Sequence, residues 1–345
     1  MQRALIVKLG AIGDVIMTVP AVHALHLQGY RIDWVCGLAV ADLLRCYSWI
    51  NVIPADDRAV LKGSLTERLR AITSVWKQLI GVRYDLSATL YYDARWRIFA
   101  LPARAGKSLT LSHTDRTRRI LPTRSYVNEF ARILLDLPDG YRDVSLLPQR
   151  PDNLPPSVLP PSTTSRIAMV PAGASNMVRQ QTLRRWPADR YAEIARTLLD
   201  RGDEVVLLGG PTDAWVREHF QSLAGHPRLV DLIGATTLPQ LISTADTCSL
   251  VLSHDTGPLH LAGLSTAPIL ALFGPTDPAN FLPRRACVRV LWGGEDLACR
   301  PCYDGRDFAP CNHNGCMQSI TTGTVLRTLD EMITNPDRPY FEAIR

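Results

Sequence analysis

The chain has 345 residues, 46% hydrophobic and 21% charged, with 38 basic against 33 acidic side chains and a net charge of +5. That length exceeds what a single core usually serves and points to two domains of about 150 residues each. The modest, scattered basic excess argues against a nucleic-acid binder, which would show dense basic runs interleaved with aromatics. No stretch is long and apolar enough to span a bilayer. With no basic segment leading into an apolar core and a small-residue cleavage site near Met1, a cytoplasmic protein is expected, with room for peripheral contact with the inner membrane face.

In chain order, "RALIVKL" reads as a buried strand, residues 14–27 as a helix, "RIDWVC" as a second strand, 64–80 as a long helix and "DLSATLYY" as another strand. This βα repetition predicts a parallel sheet. Residues 148–165, "PQRPDNLPPSVLPPSTTS", are too rich in proline and serine for packed structure and mark a linker, placed at 151–165. The pattern then restarts with "RIAMVPAG", a helix over 187–200, the strand "EVVLLGGP", a helix from Asp213, the strand "CSLVLS", a helix over about 257–264 and the strand "APILALFG". The expected organisation is α/β: an N-terminal Rossmann-like domain over 1–150 and a C-terminal one over 166–323, facing one another across a central cleft. A closing helix and tail fill 324–345.

Ligands of open α/β sheets bind beyond the carboxyl ends of the strands, so the loops after strands are where chemistry is sought. The first, "KLGAIGD", brings Gly10 and Gly13 next to Asp14, but it is not G-x-G-x-x-G and only Asp33 stands where a ribose-binding acid would, which fits a nicotinamide site poorly. Asp14 is either an ordinary helix N-cap or a working carboxylate. The second, "VPAGASNMVRQQTLRRWPADRY", carries Ser175, Arg179, Arg184 and Arg185 ahead of a helix opened by proline, a set of N–H groups and guanidinium forks suited to a diphosphate. The third, "LLGGPTD", places Gly210 and Asp213 for ribose contacts or for a plain turn with Asp213 as its cap.

The fourth loop, "SHDTGPLHLAG", opens a helix at Asp255, Thr256 and Gly257 where an anion can sit. Ser253, His254 and Asp255 are not a relay, because neighbours on an extended chain point to opposite faces. His254 and His260 are better read as polar or packing residues than as metal ligands. Arginines cluster around 95–107 and 116–124, either as contacts to an anionic acceptor or as a consequence of arginine-rich composition. Cys299, Cys302, Cys311 and Cys316 form C-x2-C-x8-C-x4-C, a spacing able to hold tetrahedral zinc or iron in a reducing compartment.

Taken together, "KLGAIGDVIMTVPAVHAL", "RRWPADRYAEIA", "VVLLGGPTD" and "SHDTGPLHLAGLSTAPILALFGPTDP" resemble, in order and spacing, the ADP-heptose:lipopolysaccharide heptosyltransferases of glycosyltransferase family 9, which have the GT-B fold. The resemblance covers most of the chain. It implies Asp14 as the catalytic base of an inverting transfer from ADP-heptose to a hydroxyl of an anionic glycan, inner-core lipopolysaccharide. It also implies Arg184, with Arg185 beside it, as a grip on the donor diphosphate, where arginine replaces the family's commoner lysine. Asp213 then falls near the donor ribose, Asp255, Thr256 and Gly257 at the donor sugar and phosphates, and His260 behind them. Lys8, Arg95, Arg97 and Arg119 are the candidate acceptor contacts. The leaving group has Arg184 and the helix start at Gly257 to stabilise it, so no catalytic metal is required; a structural zinc or iron at the cysteines stays a separate expectation. The alternatives are a protein or other glycan acceptor, a GT-B nucleotide-sugar epimerase, and a non-catalytic nucleotide-binding scaffold.

Overall fold

The computed structural model describes residues 2–111, 125–138, 145–175, 180–305 and 307–335, which fall into two units dividing at Asn153 and Leu154. The N-terminal unit holds β1 (Gln2–Val7), α1 (Ile12–Leu27), β2 (Tyr30–Gly37), α2 (Leu38–Arg45), β3 (Ile50–Ala55), α3 (Asp57–Lys62), α4 (Leu65–Leu79), β4 (Arg83–Thr89), β5 (Arg104–Thr110) and α5 (Tyr126–Leu134). Its five strands are all parallel in the order β3-β2-β1-β4-β5. The central β1 is apolar on both faces because helices cover both, whereas β5 is largely exposed and polar, as suits an edge. Ser64 and Glu67 close a capping box that sets the start of α4.

The C-terminal unit holds β6 (Arg166–Val170), α6 (Ala188–Asp200), β7 (Glu204–Leu207), β8 (Leu229–Asp231), α7 (Leu238–Ala245), β9 (Leu250–His254), α8 (Gly257–Ala262), β10 (Ile269–Phe273), α9 (Pro278–Phe281), β11 (Val288–Trp292), α10 (Gly315–Gln318) and α11 (Thr322–Thr334). Its six parallel strands run β11-β10-β9-β6-β7-β8. The stretch expected to be a helix from Asp213 is a 3-10 segment, Pro211–Leu223. Trp186 and Tyr191 meet edge to face at 5.0 Å in the core, and the Trp186 indole donates to the Ile320 carbonyl at 3.0 Å. Burying an aromatic side chain of this kind contributes about 2–3 kcal/mol.

Residues 148–165 have no regular structure, as expected, but they are not loose. Tyr47 Oη donates to the Gln149 carbonyl at 2.7 Å, Ser48 donates twice to Asp152, and Arg166 Nη1 donates to the Pro160 carbonyl at 2.7 Å. Proline fixes φ and removes a donor, which forbids sheet or helix here yet leaves carbonyls free to be gripped by neighbours. In each sheet the strand order reverses beside the first strand, between β1 and β4 and between β6 and β9. Those are the switch points where an open parallel sheet leaves a crevice at its carboxyl edge.

Candidate active-site residues

In the N-terminal unit the crevice is built by the loop after β1. Tyr91, just past β4, accepts the N–H groups of Leu9 and Gly10 at 2.8 and 2.9 Å and donates its hydroxyl proton to the Gly10 carbonyl at 2.8 Å. One phenol thereby uses its donor and both lone pairs to hold a single loop. Burial raises the Tyr91 pKa well above its ordinary value, so the hydroxyl keeps its proton. Nothing in the sequence signals this role, because a tyrosine ending a strand reads as core. Tyr91→Phe is expected to leave two N–H groups and a carbonyl unpaired and so to lower the melting temperature, which thermal unfolding checks.

Asp14 lies in the first turn of α1 but does not cap it; the N-cap is Ala11, with no side-chain bond. Its Oδ2 lies 3.2 Å from Lys8 Nζ, the side chain is 36% exposed, and Oδ1 has no partner among the described residues. Lys8, a candidate acceptor contact by sequence, has a side chain only 4% exposed. Its ammonium sits over the rings of Tyr91 and Phe130 and donates to the Leu90 carbonyl at 3.3 Å. Lys8 Nζ therefore holds the Asp14 side chain in place beyond the end of β1. Arg95 is exposed and chelated by Asp93, Arg97 donates to Thr110 Oγ1 at 3.3 Å, and Arg119 lies outside the described residues. Asp33, the only acid placed for a nicotinamide ribose, is fully buried and bound by Arg3, Asn51 and Tyr84, which makes it structural.

In the C-terminal unit three loops interlock. Gly173 and Ala174, at φ of +88° and +51°, turn their N–H groups to Asp213 Oδ1 at 3.1 Å and Thr256 Oγ1 at 2.8 Å. Only glycine fits at 173, since a Cβ there would meet Thr256 Oγ1 at 2.4 Å. Asp213 is not the N-cap, which is Gly210, but the third residue of its capping box: its Oδ2 accepts the Gly210 N–H at 2.8 Å, so with Oδ1 on Gly173 the side chain joins the loops after β6 and β7. Ser175 is exposed beyond this knot, paired in a bridge with Gln180, while Arg179 lies outside the described residues.

Arg185 donates from Nε to the Gly173 carbonyl at 2.8 Å and stacks over Trp215. Arg184 is 3.3 Å from Asp255 Oδ2, which also accepts the Thr276 hydroxyl at 2.7 Å. The Arg184 side chain is 13% exposed and its Nε has no partner among the described residues, so the rim of the guanidinium not turned to Asp255 keeps donor capacity for an anion. Gly257 opens α8, whose six residues give only a short dipole, and His260 is buried behind it.

His254 is fully buried with Nδ1 3.0 Å from Tyr191 Oη, which gives it a packing role. Burial pushes its pKa from the usual 6.5 down to about 3. The unfolded chain takes up this proton below about 6.5 while the folded chain does not, so its stability is full above that pH and falls as pH drops, by about 1.4 kcal/mol per unit. Thermal melts between pH 7 and 5 should show this decline, and His254→Gln should flatten it.

Cys299, Cys302, Cys311 and Cys316 are free thiols that line one cavity of about 70 Å³. Among the described residues no group of three or more His, Cys, Asp or Glu side chains is arranged to hold a metal ion, so the tetrahedral set the spacing allows is not assembled. Cys316 is buried and Cys299 and Cys311 are exposed, so the four sulfurs differ in depth. No helix among the described residues is long and apolar enough to cross a membrane.

Residues 167–312 match the model of glycosyltransferase family 9 (heptosyltransferase). The lipooligosaccharide heptosyltransferase 2 of Haemophilus influenzae is 36% identical over 116 residues, 32% of this chain and 34% of that protein. Matches to such curated relatives span about a third of their length. Among solved structures, the family 9 glycosyl transferase of Veillonella parvula superposes with a TM-score of 0.73 at 18% identity, covering 97% of this chain and 98% of that one. The ADP-heptose lps heptosyltransferase II of E. coli gives 0.69 at 20%, covering 98% and 100%. The likeness expected from the motifs is thus borne out, by sequence in the C-terminal unit and by fold, GT-B, over nearly the whole chain.

Proposed function

We propose that this chain, whose C-terminal unit carries the family 9 glycosyltransferase sequence, transfers a heptose from ADP-heptose to a hydroxyl of an anionic lipopolysaccharide core, with inversion and with Asp14 as the base. The observation that carries the reading is Asp14 itself, a partly exposed carboxylate at a switch point, held by a buried lysine on one oxygen and open on the other. In the reaction Asp14 Oδ1 takes the proton of the acceptor hydroxyl, whose oxygen attacks the anomeric carbon. The bond from that carbon to the diphosphate breaks, and ADP leaves with the electron pair. Arg184 and the loop at Gly173 to Ser175 meet the charge that grows on the diphosphate; one well-placed donor is worth about 3 kcal/mol in such a step.

The test is incubation of the purified chain with ADP-heptose, with and without a heptose-deficient core acceptor, following ADP release and the anomeric configuration of the product. Acceptor-dependent ADP release with inversion is expected. Donor conversion without acceptor would instead indicate an epimerase, and ADP binding with no turnover on any acceptor would indicate a scaffold.

The acceptor is a lipid, and α4 offers a surface for its membrane. Leu65 and Leu69 are 73% and 53% exposed one turn apart, among exposed Lys62, Arg68 and Arg70. Co-sedimentation with vesicles containing anionic lipid is expected for the wild type and lost on L65E/L69E; unchanged sedimentation of the variant would refute the contact.

A further inference from the structure

The cysteine-bearing segment between β11 and α10 does more than carry thiols. Tyr303 and Phe308 pair as an antiparallel bridge with their rings 4.7 Å apart. The Ala309 N–H closes the turn on the Cys302 carbonyl at 3.1 Å, and the N–H groups of Cys302 and Tyr303 both donate to the Pro275 carbonyl, at 3.0 and 3.2 Å. The turn is therefore stapled to the residue before Thr276, whose hydroxyl holds Asp255.

The rings then face Arg184, whose guanidinium carbon lies 4.6 Å from the centre of Tyr303, 5.7 Å from Phe308 and 5.4 Å from Phe281. Behind the turn, the cavity lined by the four thiols is also lined by Leu183 and Pro275, the chain neighbours of Arg184 and Thr276. An arginine is a flexible chain with a planar charged end, and rings on its faces hold that plane while leaving its rim for carboxylate or phosphate.

We propose that Tyr303 and Phe308 are positioning residues of the donor site, and that the cysteine-bearing segment is the mount that keeps them against Arg184. The inference rests on the reading of the C-terminal unit as the ADP-binding unit. The rings do not touch the donor; they fix the one guanidinium that Asp255 and Thr276 orient, so that it is in place before the diphosphate arrives. Preorganisation of this kind is gained in affinity because the arginine has less freedom left to lose.

The test is calorimetric titration of the full chain with ADP, run as a double-mutant cycle. Tyr303→Leu is expected to weaken ADP binding about tenfold, the order of a desolvated cation–π contact, whereas Tyr303→Phe, which keeps the ring face, binds as the wild type does. In an Arg184→Met background, Tyr303→Leu is expected to add no further loss, because the ring acts through the arginine. Additive losses would overturn the proposal, since they would mean that the ring supports the unit in general. If Tyr303→Leu does not fold, the same cycle on Phe308→Leu measures the same coupling, with the same two outcomes. Failure of the wild type to bind ADP would overturn the donor reading and this proposal with it; wild-type binding that Tyr303→Leu leaves unchanged would overturn the proposal alone.

Discussion

Asp14→Asn is expected to lower transfer from ADP-heptose by about 10²–10⁴-fold, the range that a positioned general base contributes, while ADP binding changes by less than twofold. The amide keeps the shape of the carboxylate and an oxygen for Lys8 Nζ, so the loop after β1 stays pinned by Tyr91. What the variant cannot do is accept the acceptor's proton. Lys8 loses its charged partner but keeps the Leu90 carbonyl and two ring faces, and Asp14 is partly exposed, so the fall in stability should be small beside the fall in rate. A rate within tenfold of the wild type, measured as acceptor-dependent ADP release, would remove Asp14 as the base. A parallel loss of ADP affinity would point instead to a wider loss of structure than the missing proton acceptor explains.

The sequence made the working loops legible because their residues are written beside strand ends. Lys8 to Asp14, Val170 to Ser175, Gly209 to Asp213 and Ser253 to Gly257 all follow apolar runs that become β1, β6, β7 and β9. Composition could not show which side chains face one another. Nothing in the sequence shows that the fold buries Lys8 against Asp14, or that Asp213 accepts backbone N–H groups from two separate loops. Tyr91 carries no local signal, since its value lies in meeting a loop eighty residues earlier. The edge strands β3 and β5 escape the sequence pattern for a different reason. One contains Pro54 and the other is mostly polar, both tolerated at an edge where one row of backbone groups needs no partner.

The same limit governs the stretch around Arg184, where sequence names the charge but not its counter-charge. Asp255→Ala is expected to lower the melting temperature by about 6–12 °C and to weaken ADP binding by at least about a hundredfold. Asp255 is 2% exposed and takes both Arg184 and the Thr276 hydroxyl on one oxygen. Removing one partner of such a pair leaves a buried charge uncompensated, a loss of about 3 kcal/mol at the lower end of the measured range, and each kcal/mol is worth about 2–4 °C in a unit of this size. Asp255→Asn keeps an oxygen for Thr276 and should lose less stability, yet it leaves Arg184 without its counter-charge. The double variant Arg184→Met/Asp255→Ala separates the two roles. Removing both charges should restore most of the melting temperature, since no ion is then left unpaired, while ADP binding stays as weak as in Arg184→Met alone because the diphosphate lacks that guanidinium. Recovery of binding together with stability would show that the pair only holds the fold, and would shift recognition of the diphosphate to Arg185 and the turn at Gly173.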